Sequence, residues 1–255
     1  MYNIYKIYKI MGWNKTKINK HIKAAELLNK IKDEAFKYIK KNKNISEYDV
    51  QRFIMVKFKM NGLRTDRAPI VAFRQNTSFV HYYPSRYFKI LKPESLILID
   101  IWARLKEKNY PFADITWMGY YGKKIPGEVL KIFKIVVKAR DGAIRYIENV
   151  LKRGKIPDTY EIDKIARSVI KKNGFGDNFL HTTGHSLGFV SPHGGKRIGP
   201  RSKGLLRENV AYTIEPGIYL KNKFGARSEI DFYINTNRKL IITTGLQKNI
   251  LKFNN

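Results

Sequence analysis

Residues 32–39 read KDEAFKYI, and the same pattern returns as RDGAIRYI at residues 140–147. A second pair follows the first, with SEYDV at residues 46–50 and DTYEI at residues 158–162. Two matching stretches at nearly equal separations indicate a duplicated chain rather than a chance likeness between amphipathic helices. The sequence therefore predicts two related halves within a single domain.

Each half is predicted to open with a long helix and a shorter one. Ser46 with Asp49, and Asp158 with Glu161, each resemble a capping box that opens the shorter helix. An Asn-Gly pair closes that helix both times, as is typical of a left-handed C-terminal cap. The predicted helices span residues 17–42, 46–60, 127–152 and 159–172.

Strand-like segments rich in Ile, Tyr, Phe and Thr follow each helix pair. They cover residues 69–74, 78–82, 96–103 and 112–119, and then residues 178–190, 209–220, 228–235 and 239–245. Helices followed by strands, twice, predict an α+β fold in which an antiparallel sheet is shared by two pseudo-symmetric halves, at about residues 16–125 and 126–250. Such a sheet offers a central pocket to side chains from both halves.

Composition sets the broad class of the protein. Of the 255 residues, 43% are apolar and 28% are charged, which is ordinary globular content. The absence of cysteine excludes a disulfide framework and thiolate metal ligands, and it fits a cytoplasmic location. No stretch approaches the roughly 18 apolar residues that a membrane span requires. Residues 1–15 form a basic N-terminal extension without the apolar core of a signal peptide, ahead of one domain at residues 16–255.

The formal net charge is +29, from 50 basic and 21 acidic residues. A field of this sign attracts nucleic acid, anionic membranes or acidic peptides. However, Lys, Ile and Asn are abundant throughout, and the charge is spread rather than gathered into one tract. We therefore favour a general compositional bias, with nucleic acid as a less favoured partner and no membrane partner.

Five polar residues within apolar, strand-like runs carry the chemical signal of the chain. They are Asp100, Asp114, His185, Glu215 and Glu229. Four carboxylates in one pocket would repel one another and raise each other's pKa. Two divalent cations would balance the four negative charges. A metal site therefore explains why acids lie in segments where an unpaired acid would be destabilising by several kcal/mol.

Spacing suggests how these residues would meet. If the strands that carry Asp100 and Asp114 pair as a hairpin around residue 107, the two aspartates lie directly opposite each other and share a face. Arg227 precedes Glu229 by two, so on a strand it would share a face with Glu229 and either orient it or meet a substrate carboxylate. His21, on the first helix, is expected to be an ordinary surface residue.

The motifs around these residues resemble those of the pita-bread metallopeptidases, the family of methionine aminopeptidase, aminopeptidase P, prolidase and creatinase. They are LIDIWA at residues 98–103, ADIT at 113–116, TGHSLG at 183–188, TIEPGIYL at 213–220 and RSEID at 227–231. The similarity runs from about residue 17 to residue 250. TIEPGIYL followed by Arg-x-Glu is similar to the aminopeptidase P and prolidase branch, as is the histidine segment NTSFVHYYP at residues 76–84.

The resemblance implies a pita-bread fold with helices on the outside and a pair of metal ions. Asp100 would chelate one ion, Asp114 and Glu229 would bridge both, and His185 with Glu215 would complete the shell of the other. Mn or Co is the favoured metal, with Zn or Fe as alternatives, because oxygen-rich ligation suits all four.

The resemblance also implies catalytic roles. Glu215 would double as a proton shuttle, and His81, His181 and His193 would hold substrate and intermediate. Arg227 and Thr116 would act from behind the metal ligands or on the substrate. Two departures stand out: Asp100 and Asp114 are separated by a longer turn than is common in the family, and the large N-terminal domain of this branch has no counterpart in the chain.

These features predict a dinuclear exopeptidase that hydrolyses the N-terminal peptide bond of short peptides or protein N-termini, of the Xaa-Pro aminopeptidase or prolidase type. A homodimer is compatible with the family. A methionine aminopeptidase is the alternative enzyme, which the short chain supports. A non-catalytic pita-bread module that binds nucleic acid or protein is the alternative of another class, which the basic charge supports.

Overall fold

The computed structural model describes residues 12–42, 44–84, 90–107 and 109–253. The predicted extension at residues 1–15 lies outside the described residues as far as residue 11. The α-helices of the described part are α1 (Lys15–Lys41), α2 (Glu47–Met60), α3 (Gly127–Lys152) and α4 (Thr159–Lys172). They lie where the sequence predicts two long and two short helices. None of them combines the length and the apolar character that crossing a bilayer would require.

The helix ends follow the predicted capping chemistry in most details. Ser46 and Asp49 form a full capping box, with the Ser46 side chain accepting from Asp49 N at 3.1 Å and the Asp49 carboxylate accepting from Ser46 N at 3.0 Å. Asp158 accepts from Tyr160 N at 2.8 Å, whereas the Glu161 carboxylate lies 3.3 Å from Lys164 Nζ. The second predicted capping box is therefore a one-sided cap.

The strands of the described part are short, apart from the long hairpin at the centre of the first half. They are β1 (Leu63–Arg64), β2 (Ile70–Phe73), β3 (Ser95–Leu105), β4 (Ala113–Tyr121), β5 (Gly184–Leu187), β6 (His193–Ile198), β7 (Ala211–Ile214), β8 (Gly217–Leu220), β9 (Phe224–Arg227), β10 (Ile230–Ile234), β11 (Leu240–Ile242) and β12 (Leu251–Phe253).

The predicted α+β class is confirmed, with the strands divided between two five-stranded sheets. The first has the order β1-β3-β4-β12, with β2 also on β3, and the second has the order β11-β10-β7-β5-β6. β8 and β9 form a separate hairpin. All pairs are antiparallel except β12 with β4. By its hydrogen-bond pattern, the predicted shared sheet is therefore two separate sheets. A backbone hydrogen bond from Phe112 N to Gly188 O, at 3.0 Å, connects the two halves next to β4 and β5.

Two predicted strands are wrong or too long, and a third, at residues 209–220, is divided into β7 and β8. Residues 78–82 form no strand, because the preceding segment is a 3-10 helix, Arg74–Ser78, in which the Thr77 hydroxyl donates to Arg74 O at 2.6 Å. Short polar side chains of this kind compete with strand pairing for backbone groups. The predicted strand at residues 178–190 shrinks to β5, because Gly176–Asn178 is also a 3-10 helix.

Alternation along β3 explains where the polar residues of the first half point. Ile97, Ile99 and Ile101 belong to the apolar cluster formed with α1 and α2. Leu98 and Trp102 face the other way, into the cluster that contains α3 and the second sheet. Because side chains alternate between the faces of a strand, Asp100 lies on the face directed toward the second half.

The hairpin register corrects the predicted pairing of the two aspartates. Asp100 lies directly across from Thr116, and Trp102 lies directly across from Asp114. The turn is centred one residue later than predicted, so the aspartates are diagonal neighbours instead of directly opposed. A shift of two residues preserves the face, and both carboxylates still point to the same side of the sheet.

The expectation that His21 is a surface residue is wrong. Its side chain is fully buried, with Nδ1 donating to Phe112 O at 2.9 Å and Nε2 lying 2.8 Å from the Thr243 hydroxyl. The ring also packs edge-on against Trp13. A helix position alone does not reveal this burial, because the groups that cover His21 come from distant parts of the chain.

Candidate metal centre

Strands from both halves bring the five predicted metal ligands to one cavity of about 430 Å³. Asp100 and Asp114 lie on β3 and β4, and His185 lies on β5. Glu215 follows β7, and Glu229 lies between β9 and β10. All five side chains line this cavity, and all but Glu215 are nearly inaccessible to solvent.

Three of the five form a compact donor group. One ligand atom from each of Asp114, His185 and Glu229 lies within 4.8 Å of the other two. Glu215 joins them, with Oε1 only 3.2 Å from Nε2 of His185. Oxygen donors with one imidazole suit a divalent first-row metal, so the residues present fit the metal site that the sequence predicts.

The buried carboxylates lack enough partners of their own. Oδ1 of Asp114 has no hydrogen-bond donor among the described residues. Burial raises the pKa of Asp114 well above its usual range, and the neighbouring Glu229 and Asp100 add to the shift. Burial likewise raises the pKa of Glu229, with Glu215 and Asp100 adding to it. Cations at this position would replace the missing donors and reverse the repulsion.

The ring of His185 presents one nitrogen to the cavity. Nδ1 lies 3.1 Å from Ser186 O, and since a carbonyl only accepts, Nδ1 carries the proton. Nε2 is therefore the nitrogen that could bind a metal ion, and it faces Glu215. Thr213 fixes both residues, because its hydroxyl accepts from His185 N at 3.1 Å and donates to Glu215 Oε1 at 3.1 Å.

Arg227 and Thr116 orient the carboxylates of Asp100 and Glu229 through hydrogen bonds. Arg227 Nε donates to the Thr116 hydroxyl at 2.9 Å, and this hydroxyl donates to Glu229 Oε2 at 2.7 Å. Arg227 Nη2 donates to Asp100 Oδ2. Burial raises the pKa of Asp100 to about 6 even though the guanidinium opposes the shift. Of the two predicted roles for Arg227, its contacts support the orientation of Asp100 and Glu229.

Tyr219 is a site residue that the sequence reasoning missed. Its hydroxyl lies 2.9 Å from His181 Nε2 and accepts from Arg227 Nη1 at 3.1 Å. Since His181 Nδ1 donates to Thr182 O at 2.8 Å, Nε2 must accept from the tyrosine. The pairing of β8 with β9 explains its position. Gly217 lies directly across from Arg227, and Tyr219, two residues further along β8, points to the same face.

The three predicted substrate histidines, His81, His181 and His193, line a second cavity of about 590 Å³. This cavity shares His185 and Glu215 with the first cavity, and we call it the opening of the site. The rings of His185 and His193 are 4.4 Å apart at their centroids. Burial lowers the pKa of His181 to about 4, and it also lowers the pKa of His81 and of His193.

A buried carboxylate positions the segment that carries His81. Glu47, the first residue of α2, accepts from Phe73 N at 2.6 Å, from Asn76 Nδ2 at 2.9 Å and from the Tyr82 hydroxyl at 2.6 Å. These bonds fix the chain on both sides of the 3-10 helix that leads to His81. Sequence reasoning assigned Glu47 only to a helix start.

Asp231, the last residue of the RSEID motif, supports a predicted metal ligand through the backbone. It is fully buried, and its Oδ2 accepts from the backbone N of Asp114 at 2.8 Å. Its own backbone N donates to the Thr244 hydroxyl at 2.8 Å. Asp231 therefore holds the strand that presents Asp114 against the strand that follows Glu229.

Comparison with known proteins yields a consistent set of relatives. The model of metallopeptidase family M24 matches residues 19–236. An uncharacterised peptidase of Methanocaldococcus jannaschii is 32% identical over 235 residues, covering 89% of this chain and 62% of the relative. The Xaa-Pro dipeptidase of Pyrococcus furiosus is 31% identical over 217 residues, covering 84% of this chain and 58% of the relative.

Solved structures agree with the sequence relatives. A recombinant prolidase from Thermococcus sibiricus superposes with a TM-score of 0.82 at 28% identity, over 96% of this chain and 63% of that one. An X-Pro aminopeptidase from Thermotoga maritima gives 0.82 at 26% identity, over 98% and 66%. The chain thus spans less than two thirds of the length of these relatives.

Proposed function

The chain belongs to metallopeptidase family M24, and from this premise we propose that it is a dinuclear metal-dependent exopeptidase. The proposed reaction is hydrolysis of the N-terminal peptide bond of short peptides, in the manner of an Xaa-Pro aminopeptidase or prolidase. The observation that carries the proposal is the convergence of four carboxylates and one imidazole from both halves on one cavity.

The proposed ligand assignment is the one that the family resemblance implies for these side chains. Asp100 would bind one ion, and Asp114 and Glu229 would be shared by two. His185 and Glu215 would complete the other coordination shell. Mn or Co remains the favoured metal, with Zn or Fe as alternatives. When bound, such ions lower the pKa of water and polarise a peptide carbonyl.

The residues around the proposed metal ligands would transfer a proton, bind the substrate and orient the ligands. Glu215 lies at the junction of the two cavities, where its carboxylate would take up a proton and deliver it to the leaving amine. His81 and His193 line both cavities and would hold the substrate. Thr213 and Thr116 orient Glu215 and Glu229 through their hydroxyl groups.

Proline-containing peptides are the proposed substrates. Support comes from the relatives named for Xaa-Pro dipeptidase, prolidase and X-Pro aminopeptidase activity. Protein N-termini and dipeptides both remain within this class. A cytoplasmic location is part of the proposal because the sequence has no cysteine. Assembly as a homodimer stays a prediction.

A peptide panel with a metal series tests the proposal. Xaa-Pro peptides and a Met-Ala-Ser peptide are incubated with the protein and added Mn²⁺ or Co²⁺, and metal content is measured by elemental analysis. We expect cleavage of the Xaa-Pro peptides, and a loss of at least about 100-fold in kcat for Glu215→Gln. The matched control is Glu128→Gln, which removes an exposed carboxylate from α3.

The same panel, with a nucleic-acid binding assay beside it, separates the alternatives. Equal activity in the wild type and Glu215→Gln would remove the proposed mechanism. Cleavage of Met-Ala-Ser alone would identify a methionine aminopeptidase. Salt-dependent binding of nucleic acid without any peptidase activity would identify the non-catalytic module.

A further inference from the structure

A third cavity, of about 380 Å³, adjoins the opening beside His181. It shares Thr182, Arg197 and Arg201 with the cavity that reaches His185 and Glu215. Its other polar lining residues are Lys196, Ser202 and Lys203. A ligand that lies against the proposed metal-binding residues is therefore next to a pocket whose charged lining residues, in the described chain, are all basic.

The register of β5 and β6 ties this basic cavity to the candidate metal centre. Arg197 lies directly across from His185 in the antiparallel ladder. Directly opposed residues point to the same face of a sheet. The guanidinium of Arg197 thus extends from the face that offers the imidazole of His185, and it marks the boundary between the two cavities.

The cations of the basic cavity are not neutralised by the protein. Among the described residues, no carboxylate pairs with Arg197, Arg201 or Lys203. Lys196 Nζ donates to the carbonyl of Lys203, which fixes its position without cancelling its charge. By contrast, Arg167 at the edge of the neighbouring cavity pairs with Asp163 at 2.8 Å.

We propose that the basic cavity binds acidic side chains of the substrate, beginning at the second residue after the hydrolysed bond. The proposal rests on the proposed exopeptidase function and narrows its substrate class to oligopeptides with Asp or Glu behind the Xaa-Pro pair. Guanidinium groups recognise carboxylates through paired N–H donors, and the Thr182 and Ser202 hydroxyls supply further hydrogen bonds.

A peptide fits this cavity better than a nucleic acid does. Proteins that bind single strands combine a basic groove with aromatic side chains on which bases stack. The residues that line the basic cavity include no aromatic side chain. The cavity also adjoins the opening over Glu215, which a peptide entering for hydrolysis must occupy.

Cleavage rates of three peptides test the preference. Ala-Pro-Glu-Glu, Ala-Pro-Gln-Gln and Ala-Pro-Lys-Lys differ only in charge behind the proline. We expect kcat/KM for the Glu peptide to exceed that for the Gln peptide by about tenfold at low salt, and the ratio to shrink at high salt. Arg201→Gln combined with Lys203→Gln should bring the ratio close to one. The matched control, Lys134→Gln with Lys138→Gln on the exposed side of α3, should leave it unchanged.

Binding to the metal-free protein gives a second readout. A Pro-Glu-Glu-Glu peptide, labelled at its C-terminus, is followed by fluorescence anisotropy against the Gln counterpart. If the wild type binds the Glu peptide more tightly than the Gln peptide and the double variant does not, the result supports the basic cavity. This holds even if no peptide is cleaved. The absence of cleavage would contradict the proposed exopeptidase function, not the binding inference. Equal cleavage of all three peptides, together with equal binding of the Glu and Gln peptides, would overturn the inference while the exopeptidase function stands. Tighter binding of an oligothymidine than of the Glu peptide, lost in the same variant, would also overturn it.

Discussion

The hydroxyl of Tyr219 lies 2.9 Å from Nε2 of His181 and joins that imidazole to Arg227. Arg227 in turn donates to Asp100 and to Thr116. One hydrogen-bonded chain therefore runs from a residue at the substrate opening to a proposed metal ligand. The carbonyl of Thr182 fixes the tautomer of His181, and the chain of hydrogen bonds links the position of that ring to Asp100.

Removing the Tyr219 hydroxyl should weaken both ends of this chain. For Tyr219→Phe we expect kcat/KM to fall by about tenfold and the free energy of unfolding to drop by about 1–2 kcal/mol, because Arg227 keeps a buried N–H without its acceptor. Steady-state kinetics and urea unfolding measure the two effects. Tyr233→Phe, on a half-buried tyrosine of β10, is the control. Unchanged kinetics in Tyr219→Phe would show that the contact has no part in the reaction.

Metal binding should depend on pH through the buried carboxylates. In the metal-free protein, burial raises the pKa of Asp100 to about 6 and holds the pKa values of Asp114 and Glu229 well above their usual range. A carboxyl with a raised folded-state pKa stabilises the fold below its unfolded value and loses that contribution as pH rises through the folded value. For Asp100 this loss falls between pH 3.8 and about 6.

Divalent cations must displace these protons, so their stabilising effect should grow with pH. We expect saturating Mn²⁺ to raise Tm more at pH 8 than at pH 5.5, as measured by thermal unfolding. His185→Ala, which removes the only nitrogen donor of the compact group, should show a much smaller rise at either pH. An equal rise at both pH values in the wild type would contradict the carboxylate linkage.

His21 should make the protein sensitive to acid. Burial lowers the pKa of His21 from 6.5 to about 4. The unfolded chain therefore takes up a proton that the folded chain does not, and stability present above pH 6.5 is lost as pH falls toward 4. Between pH 7 and pH 5 this linkage amounts to about 2 kcal/mol. Urea unfolding at the two pH values should show a smaller decrease for His21→Gln by about that amount.

Glu47 should determine the position of the segment that carries His81. Glu47→Ala removes the acceptor of three buried or half-buried donors, so we expect a loss of about 2–4 kcal/mol in unfolding free energy and a higher KM as His81 loses its position. Glu47→Gln keeps one acceptor oxygen and should recover part of both. Glu26→Ala, at an exposed ion pair on α1, should change stability by less than about 0.5 kcal/mol. A stable Glu47→Ala with normal KM would exclude the positioning role.

Local chemistry accounts for the parts of the fold that the sequence predicted well. The four helices follow from apolar periodicity and from caps such as Ser46, whose partners lie three residues away. The polar residues at β3 and β4 stood out because acids are rare within apolar runs. In each of these cases, the interactions that decide the structure lie within a few residues of one another.

The wrong predictions concern features that depend on contacts between residues distant in sequence. Residues 78–82 read as a strand, but Asn76 and Tyr82 bond to Glu47 of α2 instead of to a neighbouring strand. The register of Asp100 depended on the length of a turn that composition does not fix. His21 read as a surface residue because Phe112 and Thr243, which bury it, lie far away in the sequence.

The sequence by itself determined the duplicated helix pairs, the α+β class and the set of polar residues that converge on the cavity. Only the tertiary structure decided that Asp100 faces Thr116, that Tyr219 links His181 to Arg227, and that Arg197 opposes His185. The reason is physical: helix propensity and capping act along the chain, whereas strand register and buried hydrogen bonds are settled by packing between segments that are distant in sequence.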